Sequence, residues 1–123
     1  MTKSNYVDGY VLVVPKKNLK IYRKMALMAG KVWKKHGALD YKECVGDNLK
    51  TKFGISFTKI MKPKSSEVVM FSYVTFKSKK HRNAINTKVM KEFMAYSQSG
   101  VDNTMPFDMK KMAYGGFKVL VDI

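Results

Sequence analysis

Four stretches of the chain have the composition that favours β-strands. Each is rich in β-branched or aromatic residues and is bounded by turn-forming residues. The stretch at residues 67–76 is apolar on both of its faces, which predicts a strand that is buried on both sides. The predicted strands are residues 6–14, 38–45, 67–76 and 113–123.

A first helix is predicted over residues 16–36, where apolar residues recur with the helical period and lysine or arginine fills the opposite face. Leu27 departs from this pattern, since it is an apolar residue among the lysines. Gly37 is a favourable stop, because glycine tolerates the left-handed cap conformation. The apolar stripe consists of Leu19, Tyr22, Met25, Ala26, Ala29, Val32, Trp33 and His36.

A second helix is predicted to begin after Ser78, an expected N-cap, and to run to about residue 96. Arg82 lies on its apolar stripe and His81 lies at the edge of that stripe, both in the first turn. The apolar stripe consists of Ile85, Val89, Phe93 and Tyr96.

The connecting segments carry weaker signals. We predict a loop over residues 49–66 with one short strand around residues 55–57, and another loop over residues 100–112. The pair Gly115-Gly116 at the start of the last strand indicates either a β-bulge or a close approach of another group to the backbone.

The order strand, helix, strand, strand, helix, strand predicts an α+β, ferredoxin-like fold with both helices on one face of a four-stranded antiparallel sheet. The 123 residues are expected to form a single domain, 1–123. The predicted strands are apolar on both sides, so the face without helices needs a cover. We therefore predict a homodimer in which two sheets pack face to face through their open faces.

The chain is strongly basic, with 24 lysine and arginine residues, 9 acidic residues and a formal net charge of +15. Such a surface attracts nucleic acid and other anionic partners. Only Arg23 and Arg82 are arginines, however, and specific phosphate or base recognition relies heavily on arginine. We favour a solvated surface, so a nucleic-acid partner stays open but is not favoured.

A single cysteine, Cys44, excludes an intramolecular disulfide and favours a reducing compartment. We expect its thiol to be buried or half-buried rather than nucleophilic. There is no apolar segment after Met1 that resembles a signal peptide and no apolar run long enough to span a bilayer. We therefore expect a cytoplasmic protein without a membrane span.

Five motifs occur in order over nearly the whole chain, at residues 6–10, 30–39, 43–47, 81–90 and 105–117. Together they resemble the YbaA-like family of small bacterial proteins of unknown function. The resemblance implies a dimeric α/β-barrel fold and supplies no catalytic residues. The chain departs from the family pattern at Thr58, where proline is expected, and at Glu92-Phe93, where Asp-Pro is expected.

Polar and aromatic residues on the predicted helix-facing surfaces are candidates for lining a cavity between the sheet and the helices. The candidates for acid–base chemistry are His36, Glu43 and His81. The candidates for ligand binding are Asp8, Tyr10, Tyr22, Trp33, Tyr41, Arg82 and Tyr114.

Each charged candidate also has a purely structural interpretation. His36 at a helix end can act with Glu43 or Asp8, or can simply pack the helix terminus. His81 can be a base, a ligand or a capping residue. Arg82 on an apolar stripe needs a partner, and Asp8, Glu43 and Asp108 are the candidates.

The chain has no spacing typical of a zinc site, no phosphate-binding glycine loop and no haem-attachment motif, so we expect no metal and no cofactor. The ten methionines are expected in the core. Three functions remain open. The protein can bind or transform a small molecule in its cavity, can be a non-catalytic interaction dimer, or can bind RNA or another anionic surface through lysines. We favour the first, and the sequence does not decide whether the protein is an enzyme.

Overall fold

A computed structural model describes residues 3–98 and 105–123 as four strands and three helices, with single turns of 3-10 helix at Lys16–Asn18 and Met109–Lys111. The long elements agree closely with the sequence predictions. The elements are β1 (Tyr6–Pro15), α1 (Leu19–Lys35), β2 (Asp40–Val45), α2 (Phe57–Met61), β3 (Glu67–Phe76), α3 (Lys79–Gln98) and β4 (Ala113–Lys118).

The strands form one antiparallel sheet in the order β2-β3-β1-β4. β1 and β3 are the inner strands and pair along their full length, from Tyr6 opposite Phe76 to Pro15 opposite Glu67. β2 and β4 are the edges. The predicted α+β class and the four-stranded antiparallel sheet are therefore confirmed.

One face of the sheet is covered by α1 and α3. Tyr6, Leu12 and Val14 of β1 share the face that is buried beneath the helices. α1 contributes buried Tyr22, and α3 contributes buried Val89. Burial of one large apolar side chain stabilises a fold by roughly 1.5–3 kcal/mol. The layer between the sheet and the helices is therefore the core of the described structure.

The opposite face of the sheet, called the open face below, carries no long helix of the described residues. Phe71 is 45 % exposed and Phe117 is 62 % exposed on this face. The segment after β2 lies over one end of the open face, where Leu49 and Phe57 approach Val69. Elsewhere on this face the apolar side chains of β1 and β3 are half-buried or buried.

The expected short strand at residues 55–57 is wrong, because Phe57–Met61 forms the helix α2. Ser56 caps α2 by accepting a hydrogen bond at its Oγ from the Lys59 N–H at 3.3 Å, and Lys62 ends it in the left-handed conformation with φ 47°. A hydroxyl side chain at an N-cap accepts a hydrogen bond from a backbone N–H that has no partner within the helix. This capping favours a helix here, although residues 55–57 have a weak strand pattern.

Both predicted helix boundaries are confirmed. Ser78 Oγ accepts a hydrogen bond from the His81 N–H at 3.0 Å, as an N-cap does. Gly37 follows α1 with φ 115°, a conformation that favours glycine. The last strand ends at Lys118 and does not reach residue 123. Part of the loop predicted over 100–112, residues 100–104, lies outside the described residues.

Gly115 and Gly116 pair with β1 without a bulge, so close approach is the correct alternative. A Cβ at Gly116 would collide with Arg82 Nη2 and Tyr6 Oη and would lie 2.8 Å from Tyr6 Cε2. Glycine therefore lets two side chains of the helix-covered face rest on the β4 backbone.

Two expectations about the sulfur-containing side chains are wrong. Cys44 is exposed on the open face rather than buried. Of the methionines described, Met70 is buried, whereas several lie at the surface because they occupy the outer sides of helices and turns. The exposed methionines are Met28, Met90, Met94, Met105 and Met109.

Candidate functional site

A groove of about 760 Å³ lies between α1 and β2, on the helix-covered face of the sheet. Its α1 side is one stripe of the helix, with residues three or four positions apart. Its other side comes from β2, with Met70 of β3 at the base. The groove is lined by Leu19, Tyr22, Arg23, Ala26, Leu27, Gly30, Lys31, Lys34, Asp40, Tyr41, Glu43, Val45 and Met70.

Glu43 is the polar centre of this groove. Its Oε1 accepts a hydrogen bond from the Tyr22 hydroxyl at 2.6 Å, and its Oε2 accepts one from the Tyr41 hydroxyl at 2.6 Å. In the part of the chain that the structure describes, Glu43 has no ion pair with a lysine, arginine or histidine. The carboxylate is thus held by two neutral donors and keeps further acceptor capacity on each oxygen.

The two tyrosines remain protonated donors over a wide pH range. Burial raises the pKa of Tyr22 well above its usual value, and the hydrogen bond to Glu43 and its charge raise the pKa further. The same causes, in the same order, raise the pKa of Tyr41. A Glu-centred pair of hydroxyl donors is therefore a stable feature of the groove.

Tyr41 is positioned by close packing against α1. A Cβ at Gly30 would lie 2.7 Å from Tyr41 Cδ1, so only glycine lets the ring rest directly on the helix. The Tyr41 ring also stacks on Trp33, with ring centroids 5.9 Å apart and an interplanar angle of 27°. Gly30 and Trp33 thereby hold the Tyr41 hydroxyl in front of Glu43.

The edge of the groove on α1 is cationic, because Arg23, Lys31 and Lys34 lie there. The Lys34 Nζ donates to the Leu39 carbonyl at 2.8 Å. Arg23 and Lys31 form no hydrogen bond or ion pair through their side chains with any other described residue. Leu27 lies between them and is 53 % exposed. The groove therefore combines apolar side chains, the Glu43 carboxylate on β2 and cationic side chains on α1.

A second polar cluster lies farther along the same face of the sheet. Asp8 is buried and accepts a hydrogen bond from Arg82 Nε at 3.1 Å and a longer one from Asn86 Nδ2 at 3.5 Å. Asn86 Oδ1 accepts from Trp33 Nε1 at 3.1 Å, and Arg82 Nη2 donates to Tyr6 Oη at 3.2 Å. Of the three predicted partners for Arg82, Asp8 is the correct one.

Burial raises the pKa of Asp8, and the charge of Arg82 partly offsets this effect. Burial also raises the pKa of Tyr10 to about 12, and the charge of Asp8 adds to it. Tyr10 stacks on Tyr114 with ring centroids 5.5 Å apart. These groups are held by one another within the fold, which favours a structural role for them.

His36 does not join Glu43 or Asp8, so that expected pairing is wrong. Its Nε2 lies 2.9 Å from Glu92 Oε1, and Lys35 Nζ also contacts this oxygen at 2.6 Å. The reason is that α1 contacts α3 as well as β2, and His36 at the C-terminal end of α1 faces Glu92 of α3. These contacts lower the pKa of Glu92, the Lys35 hydrogen bond most strongly.

His81 acts as a capping residue at the start of α3. Its Nδ1 accepts a hydrogen bond from the Lys77 N–H at 3.0 Å, which requires the neutral ring. Partial burial, followed by the charge of Lys77, lowers the pKa of His81. Its capping geometry matches one of the alternatives given by the sequence.

Of the ten predicted site residues, Tyr22, Tyr41 and Glu43 line the groove, whereas Asp8, Trp33 and Arg82 belong to the second cluster. Arg23, Lys31 and Leu27 were missed. Leu27 was the available signal, because an apolar residue on a lysine-rich helix face indicates a local apolar surface. No three His, Cys, Asp or Glu residues within 3–98 and 105–123 are grouped so as to hold a metal ion.

Comparison with known proteins shows to which family the chain belongs. A family model described as "Protein of unknown function (DUF1428)" matches residues 5–109. The chain belongs to this family. It is 37 % identical over 122 residues to "Uncharacterized protein YbaA" of Escherichia coli K12, covering 95 % of this chain and 97 % of that protein. The YbaA proteins of Escherichia coli O157:H7 and Shigella flexneri match to the same extent, so the YbaA-like resemblance is confirmed.

Among solved structures, a hydantoinase/carbamoylase family amidase from Burkholderia ambifaria aligns with a TM-score of 0.34 and 9 % identity. The alignment covers 91 % of this chain and 26 % of the amidase chain, so the present chain spans about a quarter of that protein. None of the helices in the described ranges combines the length and apolarity that crossing a bilayer requires.

Proposed function

We propose that the protein binds a small amphipathic molecule in the groove between α1 and β2. The observation that carries this proposal is Glu43, a carboxylate held by two tyrosine hydroxyls and without a counter-ion in the described structure, which lines a groove of about 760 Å³. Ligand pockets typically measure roughly 300–1,000 Å³ and combine apolar walls with a few fixed polar groups.

The Glu43 carboxylate in the groove favours a ligand that donates a hydrogen bond. Each Glu43 oxygen accepts one hydrogen bond from a tyrosine and can accept another. A hydroxyl or amine of the ligand meets this requirement, while Leu19, Ala26 and Met70 offer apolar contact to its body. This geometry supports binding.

Glu43→Gln tests the proposal because it keeps the shape of the side chain and changes its charge. With decanol as the probe, we expect chemical-shift changes for groove residues in heteronuclear NMR, and weaker binding in the variant. Hydrogen bonds to charged groups contribute about 1.5–3 kcal/mol, so the loss is about tenfold or more in affinity.

The matched control is Glu92→Gln, which makes the same change at a carboxylate outside the groove. It should leave decanol binding unchanged. Absence of decanol binding to the wild-type protein, or shift changes confined to other surfaces, would contradict the proposal.

We also propose that the chain is a single ferredoxin-like domain that forms a homodimer of the dimeric α/β-barrel type. The strand order β2-β3-β1-β4 and the two long helices on one face support this arrangement. Exposure of Phe71 and Phe117 on the open face supports pairing with a second copy. A cytoplasmic location stays a prediction from the sequence.

Electrostatic binding of RNA is the second candidate, favoured by the basic outer side of α1. This helix and the preceding turn contain no acidic residue. Binding of this kind weakens steeply with salt, since each neutralised phosphate releases counterions. RNA affinity that falls by orders of magnitude between low and physiological salt, with no decanol binding, would favour this candidate over the groove.

A further inference from the structure

We propose that the ligand of the groove is an anionic amphiphile whose carboxylate or phosphate head binds Arg23 and Lys31. This inference rests on the proposed function of the groove and adds the chemical class of the ligand. Its basis is a pair of cations on the edge of an apolar groove that have no partner in the described structure.

The two cations flank Leu27 on the side of α1 that lines the groove. Arg23 and Lys31 are eight residues apart on α1, which corresponds to about 12 Å along the helix axis. Both line the groove, with exposed Leu27 between them. Their long side chains can converge above Leu27, where an oxyanion would receive the guanidinium fork from one side and the ammonium from the other.

The acidic residues of the groove do not neutralise this edge. Asp40 pairs with Lys42 at 3.6 Å, and Glu43 is held by the two tyrosine hydroxyls. Arg23 and Lys31 thus keep their full capacity for an external anion.

The order of polar and apolar groups across the groove defines the ligand further. The cationic edge lies on α1, the apolar surface of Ala26 and Met70 lies below it, and Glu43 lies on β2. A molecule with an oxyanion at one end, an apolar body and a hydroxyl or amine toward the other end matches all three regions. The formal net charge of +15 also attracts such anions before they bind.

The test compares decanoate, decyl phosphate and decanol by isothermal titration calorimetry, all as monomers in solution. We expect at least one of the two anions to bind about tenfold more tightly than decanol, since charge-assisted hydrogen bonds are about twice as strong as neutral ones. The double variant Arg23→Gln/Lys31→Gln should lose about tenfold in affinity for that anion and keep its affinity for decanol. Which anion binds more tightly distinguishes a carboxylate ligand from a phosphate ligand.

The matched control is Lys20→Gln/Lys24→Gln, which removes the same charge from exposed positions of α1 that do not line the groove. It should bind the anions as the wild-type protein does. An equal loss in both double variants would overturn the inference, because the effect would then be general electrostatic attraction.

Failure of the inference differs from failure of the proposed function. Equal affinity for decanol and both anions, with no effect of Arg23→Gln/Lys31→Gln, overturns the anionic class and leaves the groove as a binding site. No binding of any of the three probes overturns both. Binding only to vesicles of phosphatidylglycerol, without binding to monomeric decanoate or decyl phosphate, also overturns the inference.

Discussion

At the scale of single residues, the side chains singled out by the sequence divide between a groove and a set of internal contacts. Tyr22, Tyr41 and Glu43 meet in the groove because the strand alternation of β2 and the helical stripe of α1 face each other. The sequence was sufficient to predict that these tyrosine and glutamate side chains are candidates for a site. The partners of His36 and Arg82 were not fully predictable, since each contact joins residues more than fifty positions apart.

Gly116→Ala is expected to destabilise the protein by about 1–3 kcal/mol, the usual cost of overpacking a filled site. The new Cβ would collide with Arg82 and Tyr6, which are fixed by their own contacts. Chemical denaturation measures the loss, and the NMR resonance of the Arg82 Nε–H should shift as its contact with Asp8 is disturbed.

Gly115→Ala is the control in the same strand, because the nearest atom to its new Cβ is Phe117 Cε1 at 3.9 Å. We expect a change within about 0.5 kcal/mol, typical of substitutions away from packed sites, and an unchanged Arg82 resonance. A shift of that resonance in Gly115→Ala but not in Gly116→Ala would show that the described packing is wrong.

Stability is expected to fall as the pH rises above about 10, the usual tyrosine pKa. The pKa of Tyr10 is raised to about 12, and those of Tyr22 and Tyr41 are also raised, so the folded state keeps protons that the unfolded state loses. This contribution is complete below the usual pKa and disappears as the pH approaches the raised values. Thermal unfolding as a function of pH measures it.

Glu43→Gln should let Tyr22 and Tyr41 ionise at lower pH than in the wild-type protein, because the Glu43 charge raises both pKa values. Ultraviolet absorbance of tyrosinate follows the titration. Glu92→Gln, whose carboxylate contacts Lys35 and His36 in the described structure, should titrate like the wild type. Identical curves for all three proteins would contradict the hydrogen bonds at Glu43.

At the scale of elements, local signals predicted the long helices and strands well. β3 begins and ends at the predicted residues, and Ser78 and Gly37 bound the helices as expected. α2 was missed because five residues carry too little periodicity to distinguish a helix from a strand. The groove itself depends on the separation of α1 from β2, which no local pattern encodes.

Gly30→Ala tests how α1 lies against β2. Alanine is normally better than glycine inside a helix by about 1 kcal/mol. Here the new Cβ would lie 2.7 Å from the Tyr41 ring, so we expect a net loss of about 1–2 kcal/mol in the free energy of unfolding. Denaturation curves measure it, and stabilisation by the variant would mean that Tyr41 does not rest on the α1 backbone.

At the scale of the whole molecule, the single chain leaves apolar side chains of the open face exposed. The proposed homodimer covers this face, and it also accounts for the exposure of Phe71, Phe117 and Cys44 in a single chain. Interfaces with an apolar centre lose much of their affinity when that centre acquires a charge, since the charge must be desolvated without a partner.

Light scattering at micromolar concentration should therefore give a dimer for the wild-type protein and a monomer for Phe117→Glu. Circular dichroism should confirm that the variant keeps its helices and strands, because Phe117 is 62 % exposed in the single chain. The control is Phe53→Glu, at a side chain that is 88 % exposed. A monomeric wild-type protein would contradict the proposed dimer.

The long elements, their caps, the apolar faces of the strands and the basic side of α1 could be predicted before the fold was known. These properties depend on periodicity and on hydrogen bonds between near neighbours, which a single chain encodes locally. The contacts of Glu43 with Tyr22 and of His36 with Glu92, and the apolar groove beside Arg23 and Lys31, become visible only in the assembled fold. Those relations depend on how whole elements lie against one another, and many distant contacts set that arrangement together.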